Sequence, residues 1–167
     1  NIMNAAVVYF SLEGNTRFAA ERIAEELRAD LIPLLTVKKY PANGFGKYFW
    51  AGKSASFREA PALEPYRFDA DRYDVILLGT PIWAGTFSPP LRANLRANPM
   101  AGRKIAFFAS CSGGSADQCF RELKKRARGG IVLDTLRLVD PAKGDKPEEM
   151  KKILDFCARL RESLEKA

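Results

Sequence analysis

The chain has 167 residues, 47 % of them hydrophobic and 28 % charged, with a formal net charge of +7, three cysteines and no histidine. That length and balance fit a single soluble domain over residues 1–167, able to bury roughly 70 % of its unfolded surface. The missing imidazole excludes Ser-His and Cys-His catalysis and nearly every zinc site.

No apolar run approaches the ~20 residues of a membrane span, and the N-terminus lacks the pattern of a secretory signal. An odd cysteine count without such a signal points to a reducing cytoplasm. Lys and Arg are interleaved with acids, as in Glu21-Arg22 and Glu25-Glu26. The dense run Lys124-Lys125-Arg126, with Arg128, falls where a helix end favours cations. The positive charge therefore reads as solvated surface, not as a nucleic-acid face.

Ala5 to Phe10 is rich in β-branched and aromatic residues and reads as a buried first strand. Ser11-Leu12-Glu13-Gly14-Asn15-Thr16 follows it and opens onto a helix through Ala29, with Phe18, Ala19, Ile23, Ala24 and Leu27 on one face. Unpaired N–H groups and the dipole at that helix start, with the Ser11 and Thr16 hydroxyls and the Asn15 amide, form a cradle for a phosphate. The nucleoside-triphosphate loop is excluded: Gly52-Lys53-Ser54 imitates its end, but Gly46 is one residue too far away. The dinucleotide fingerprint is excluded because Gly14 stands alone where three spaced glycines are required.

Asp30 to Leu35 reads as the second strand, and residues 36–73 are irregular, with a short helix around Phe45 to Arg58. Phe45, Phe49 and Phe57 share a helical face and read as core, while Tyr48 and Trp50 fall off it. Flanked by Lys47 and Lys53, those two aromatics are the alternative candidates for a ligand or partner surface. Asp74 to Gly79 is the third strand, and Thr80-Pro81-Ile82-Trp83-Ala84-Gly85-Thr86 is an exposed turn in which Trp83 offers a flat apolar platform. Ser88 caps the next helix, with Pro89 in its first turn. Lys104 to Ala109 is the fourth strand, followed by Ser110-Cys111-Ser112-Gly113-Gly114-Ser115 and a helix to about Arg128. Ile131 to Leu138 is the fifth strand, and Pro147 to Leu164 a final amphipathic helix that places Cys157 in the core. Strands alternating with helices predict a parallel sheet covered on both faces, with the ligand at the carboxyl ends of the strands.

With these residues assembled, the chain resembles the flavodoxins, as a short-chain, basic variant. The resemblance rests on Ser11 to Thr16, on Tyr73 to Trp83 with Gly85, and on Ser112-Gly113-Gly114-Ser115, and it spans nearly the whole length. It implies an α/β, flavodoxin-like three-layer sandwich with a five-stranded parallel sheet in the order 2-1-3-4-5. It also implies non-covalent flavin mononucleotide (FMN).

On matching positions, Ser11, Leu12, Glu13, Gly14, Asn15 and Thr16 would hold the flavin phosphate. Thr80, Pro81, Ile82, Trp83, Ala84, Gly85 and Thr86 would flank the ring, with Trp83 stacked on one face. The Ala84–Gly85 peptide would turn its carbonyl toward the flavin N5 when the ring takes up a proton and an electron. Ser110, Cys111, Ser112, Gly113 and Gly114 would line the pyrimidine edge. Receiver domains share the strand order, but they need an Asp at the end of the third strand, where this chain has Gly79-Thr80.

The resemblance implies an electron-transfer protein serving a redox partner protein or a small-molecule electron acceptor, and the chain's own basic residues suit an acidic partner. The alternative is an FMN-dependent NAD(P)H:quinone-type oxidoreductase. Cys111 stands where the family usually supplies a second aromatic, so one ring face is expected to be open or covered by another segment.

Overall fold

The computed structural model describes residues 3–40 and 60–166. The helix expected around Phe45 to Arg58, with Tyr48 and Trp50, lies outside them. Six strands are present among the described residues, β1 (Ala5–Tyr9), β2 (Asp30–Pro33), β3 (Val75–Trp83), β4 (Thr86–Phe87), β5 (Lys104–Cys111) and β6 (Ile131–Val139). The helices are α1 (Asn15–Leu27), α2 (Pro89–Ala97), α3 (Asp117–Arg126) and α4 (Pro147–Glu165), with one 3-10 turn at Ala70–Arg72. The sheet runs β2-β1-β3-β5-β6, all parallel, while β4 pairs antiparallel with β3 alone. Apart from β4, this is the expected order 2-1-3-4-5 with its strands renumbered.

The continuous apolar runs follow from burial on both faces. Ala5, Val7, Tyr9, Val75, Leu77, Ala106 and Phe108 turn to one side, where they pack with α1 and α4 residues such as Ile23, Leu27, Phe156 and Leu160. Ala6, Val8, Ile76, Leu78, Ile105 and Phe107 turn to the other, toward Leu91 and Leu95 of α2 and Cys119 and Leu123 of α3. Every residue of β1 is buried. Along α1 the buried face is Thr16, Ala19, Ala20, Ile23, Ala24 and Leu27. Ala20 thus takes the place expected for Phe18, whose ring lies outside the core with the Arg22 guanidinium 5.8 Å from its centroid.

Both sheet edges carry devices against further pairing. Leu34 N–H donates to Tyr9 O, which points alternate donors of β2 inward and leaves position 33 facing the edge. Pro33 has no N–H to leave unpaired there. At the other edge a register shift between Ile105 and Ala106 bulges β6. Among the described residues no helix is long and apolar enough to cross a membrane.

Two strands run further than the sequence suggests. β3 continues through Thr80 to Trp83, so the expected second turn is the end of a strand, then Ala84–Gly85, then β4. β5 likewise includes Ser110 and Cys111. Ser88 does stand at the start of α2 with Pro89 first in the helix, yet its side chain makes no capping bond.

Candidate functional site

At the end of β1, Phe10 N–H still bonds to Gly79 O, and the chain leaves the sheet at Ser11. Gly14 takes φ 108°, a conformation glycine adopts freely, and its N–H donates to Ser11 Oγ at 3.2 Å. The first helical bond of α1 is Phe18 N to Gly14 O. The N–H groups of Asn15, Thr16 and Arg17 therefore have no intrahelical acceptor, no side chain among the described residues caps them, and no acid stands in the first turn. Three donors and the positive end of the helix dipole converge on one spot, which is the makeup of an anion cradle. The exposed Arg17 is tied to Glu21 at 2.6 Å and does not dominate it.

The side chains of this first turn reach outward to other segments. Thr16 is buried, and its Oγ1 lies 2.7 Å from Ser110 Oγ, at the end of β5. Asn15 Oδ1 accepts the N–H of Ala142 at 3.0 Å. Leu12 packs on the α2–α3 side of the core. Glu13 is exposed.

In the second segment Ile82 pairs with Phe87 and Trp83 with Thr86, so Ala84 and Gly85 form a two-residue hairpin turn. Their φ values of 50° and 80° are the left-handed pair that a type I′ turn needs. Thr80 is an internal fastening: buried, it accepts Ser88 N–H at 2.8 Å and lies 3.1 Å from Ser88 Oγ. Pro81 continues the ladder opposite Ser110. Thr86 Oγ1 is buried without a hydrogen-bond partner among the described residues. Trp83 is half-buried, edge-to-face with Phe10 at 5.7 Å and with Tyr40 at 5.2 Å. Phe10 and Tyr40 close the triangle at 5.8 Å.

In the third segment Ser110 is buried and Cys111 half-buried, its Sγ 3.6 Å from Leu138 O. Ser112 Oγ donates to Asp140 Oδ1 at 3.0 Å, and Arg137 Nε donates to Gly114 O at 2.6 Å. Gly113 and Gly114 have φ of 154° and 82°, and a Cβ at either would meet nothing within 4 Å, so their backbone lies open to a ligand. The Gln118 amide of α3 lies against Gly85, where a Cβ would sit 3.1 Å from its Oε1.

The three segments therefore converge: first with third through Thr16 and Ser110, second with third through Pro81 and Ser110, and second with the end of β1, just before the first, through Trp83 and Phe10. A fourth segment joins them that the sequence did not single out, the Asp140–Lys146 loop after β6. Its Asp140 N–H donates to Cys111 O at 2.9 Å, and its Ala142 N–H is the one held by Asn15. Tyr40 is the other addition, a single aromatic in a stretch with no periodicity to mark it. The remaining thiols are inert: burial pushes both Cys119 and Cys157 up to about 12.

A model of the flavodoxin family matches residues 4–154, a span that holds all four of these segments. The chain belongs to the flavodoxin family. Among solved structures it is similar to a flavoprotein from Lactobacillus acidophilus in complex with FMN, at 22 % identity and a TM-score of 0.72, covering 81 % of this chain and 93 % of that one. A provisionally assigned flavoprotein from Bacteroides uniformis aligns with a TM-score of 0.78 at 21 % identity, over 95 % of this chain and 99 % of that one. A flavodoxin from Streptococcus pneumoniae gives 0.61 at 16 % identity, over 96 % and 99 %. At these identities the likeness is one of fold. Among curated proteins nothing matches the chain. The converging turns lie at the carboxyl end of the sheet, where doubly wound folds in general bind their ligands.

Proposed function

We propose that the protein binds FMN non-covalently across its three converging turns and acts in electron transfer. The observation that carries this reading is the uncapped start of α1: three orphan donors, no acid in the first turn, and Gly14 at a φ that lets the backbone present them. The donor set fits a phosphate monoester held by main chain. The L. acidophilus relative holds FMN, which supports the same assignment here.

In this reading the N–H groups of Asn15, Thr16 and Arg17 bind the phosphate, and Gly113 and Gly114 offer backbone to the polar edge of the ring. Phe10 and Tyr40 pack edge-to-face against the Trp83 indole, which offers the ring an apolar wall that Tyr40 extends. A bound flavin supplies uptake and release of electrons with protons. The residues of the three turns have the tasks of binding the ring, orienting it and excluding water. The net charge of +7 suits an acidic redox partner by electrostatic steering.

Titration of the apoprotein with FMN and with riboflavin tests the reading. A 1:1 complex is expected, with FMN the tighter ligand. Trp83→Ala should cost more than about tenfold in affinity, from lost buried area and ring contact together. No binding at micromolar FMN, or equal affinity for riboflavin, refutes the assignment. Direct reduction of the bound flavin by NADPH would move the protein from carrier to reductase.

A further inference from the structure

The loop after β6 is fastened to the ligand end of the sheet by more than the chain's path requires. Asp140 adopts φ 40°, a conformation side chains other than glycine, Asn and Asp rarely take. It is held there by its N–H to Cys111 O at 2.9 Å, by Ser112 Oγ donating to its carboxylate at 3.0 Å, and by the Lys143 N–H to its own carbonyl at 3.0 Å. Two residues on, Ala142 N–H reaches across to Asn15 Oδ1 at 3.0 Å. The loop thus bridges the third turn and the first turn of α1.

Only the oxygen of a primary amide can accept from an N–H, so the bond to Ala142 fixes which way round the Asn15 amide sits. Its Nδ2 is then a donor without an acceptor among the described residues. It is carried by the same residue whose backbone N–H is the first of the three orphan donors. An anion at the helix start that takes hydrogen bonds from Asn15 restricts the rotamer that also holds Ala142. Conversely, a loop that holds Asn15 in place lowers the entropy lost when the anion binds.

We propose that Asn15 is a positioning residue that couples occupancy of the phosphate cradle to the Asp140–Lys146 loop, and through Asp140 to the third turn. This rests on the reading of the α1 start as the flavin phosphate site. Asn15 acts through its two amide ends: oxygen to the loop, nitrogen and backbone N–H to the phosphate. Coupling of this kind is reciprocal: whatever factor the anion adds to closure of the loop, a closed loop adds to anion affinity.

The experiment uses the full-length apoprotein, inorganic phosphate as probe, and amide-resolved hydrogen exchange. Phosphate is expected to perturb the amides of Gly14 to Arg17 and to slow exchange at Ala142 by about fivefold or more, the lower end of ordinary coupling. Asn15→Asp keeps an acceptor for Ala142 and an acid that suits a helix start, but loses the Nδ2 donor and adds charge. It should retain the resting protection at Ala142 and lose the phosphate response. Ser112→Ala, which loosens the loop without touching the cradle, should weaken phosphate binding by the factor it removes from loop closure.

Phosphate binding at Gly14 to Arg17 with unchanged exchange at Ala142 overturns the coupling and leaves the flavin reading intact. A coupled phosphate response without FMN binding upholds the coupling and refutes the flavin reading. No perturbation of Gly14 to Arg17 by either ligand overturns both.

Discussion

Gly79 is where the core and the site meet, and replacing it with alanine isolates one steric term. Gly79 lies in β3, paired with Tyr9 on one side and with Phe108 on the other, and its carbonyl accepts the last β1 bond before Ser11. Its φ is ordinary for a strand, so backbone strain plays no part. A Cβ there would sit 2.7 Å from Phe108 Cε1 and closer still to Cζ and Cε2. Phe108 is fully buried among Tyr9, Val7 and Leu77, so its ring cannot simply swing aside.

Overpacking of this kind costs roughly 1–3 kcal/mol. At roughly 2–4 °C per kcal/mol for a domain of this size, Tm should fall by roughly 2–12 °C. Phe108→Ala alone should cost about 3–5 kcal/mol through the cavity it leaves. Together the two changes should cost less than their sum by about 1 kcal/mol or more, because the new methyl has somewhere to go. Urea unfolding of the four proteins measures this directly. Strict additivity, or a Gly79→Ala protein within about 0.5 kcal/mol of wild type, would refute the reasoning.

The hairpin turn makes the opposite test, of backbone without crowding. Ala84→Gly should stabilise by roughly 0.5–1 kcal/mol, because alanine is strained at φ 50°. Gly85→Ala should destabilise by roughly 1–2 kcal/mol, since its φ is 80° and the nearest atoms to a new Cβ belong to the Gln118 side chain, which can move. Equal and negligible effects in thermal unfolding would show that the turn is not type I′ in solution.

Glu149 gives a pH signature. Burial would push its carboxyl up, but hydrogen bonds from Lys152 and from Val139 N–H outweigh burial and hold it below its ordinary value. Its contribution to stability is therefore complete above the unfolded value of about 4.3 and is lost as pH falls from there through the lower folded value. Glu149→Gln should cost stability at pH 7 and cost less at pH 3, measured by urea unfolding. A difference that does not change between those pH values would refute the assignment.

The layers of the fold were legible because two periodicities speak plainly: uninterrupted apolar strands buried on both faces, and helices with one apolar stripe. What escaped was set by geometry that pattern does not carry. Phe18 outranks Ala20 in hydrophobicity, yet the angle around α1 puts Ala20 against the sheet. Residues 80–86 look like an exposed turn in the sequence because Ala-Gly lacks the Asn-Gly or Asp-Gly signature that would mark a type I′ hairpin. Pro81 sits at the end of its ladder opposite Ser110. The Asp140–Lys146 loop is bound mainly through backbone groups and one amide, 127 positions from its partner, and leaves no trace in composition.

The hydroxyls show how motif and structure divide the same chemistry. Ser11 and Thr16 were expected to face a phosphate, and each is engaged within the protein, Ser11 with Gly14 N–H and Thr16 with Ser110. Engagement does not exhaust a hydroxyl, which carries one proton and two acceptor positions. Ser11 accepts from Gly14 and keeps its own proton. In the Thr16–Ser110 pair one hydroxyl donates to the other, and one proton is left over. The two arrangements thus fix the loops in place and still retain two O–H donors beside the three backbone N–H groups. Thr80 stands apart, because Ser88 takes its acceptor side and the Pro81 carbonyl lies 2.8 Å away for its proton. A phosphate at the start of α1 would then be met by groups already held in position, with no lysine required, which is how a loop with a single glycine can do what longer glycine-rich loops do.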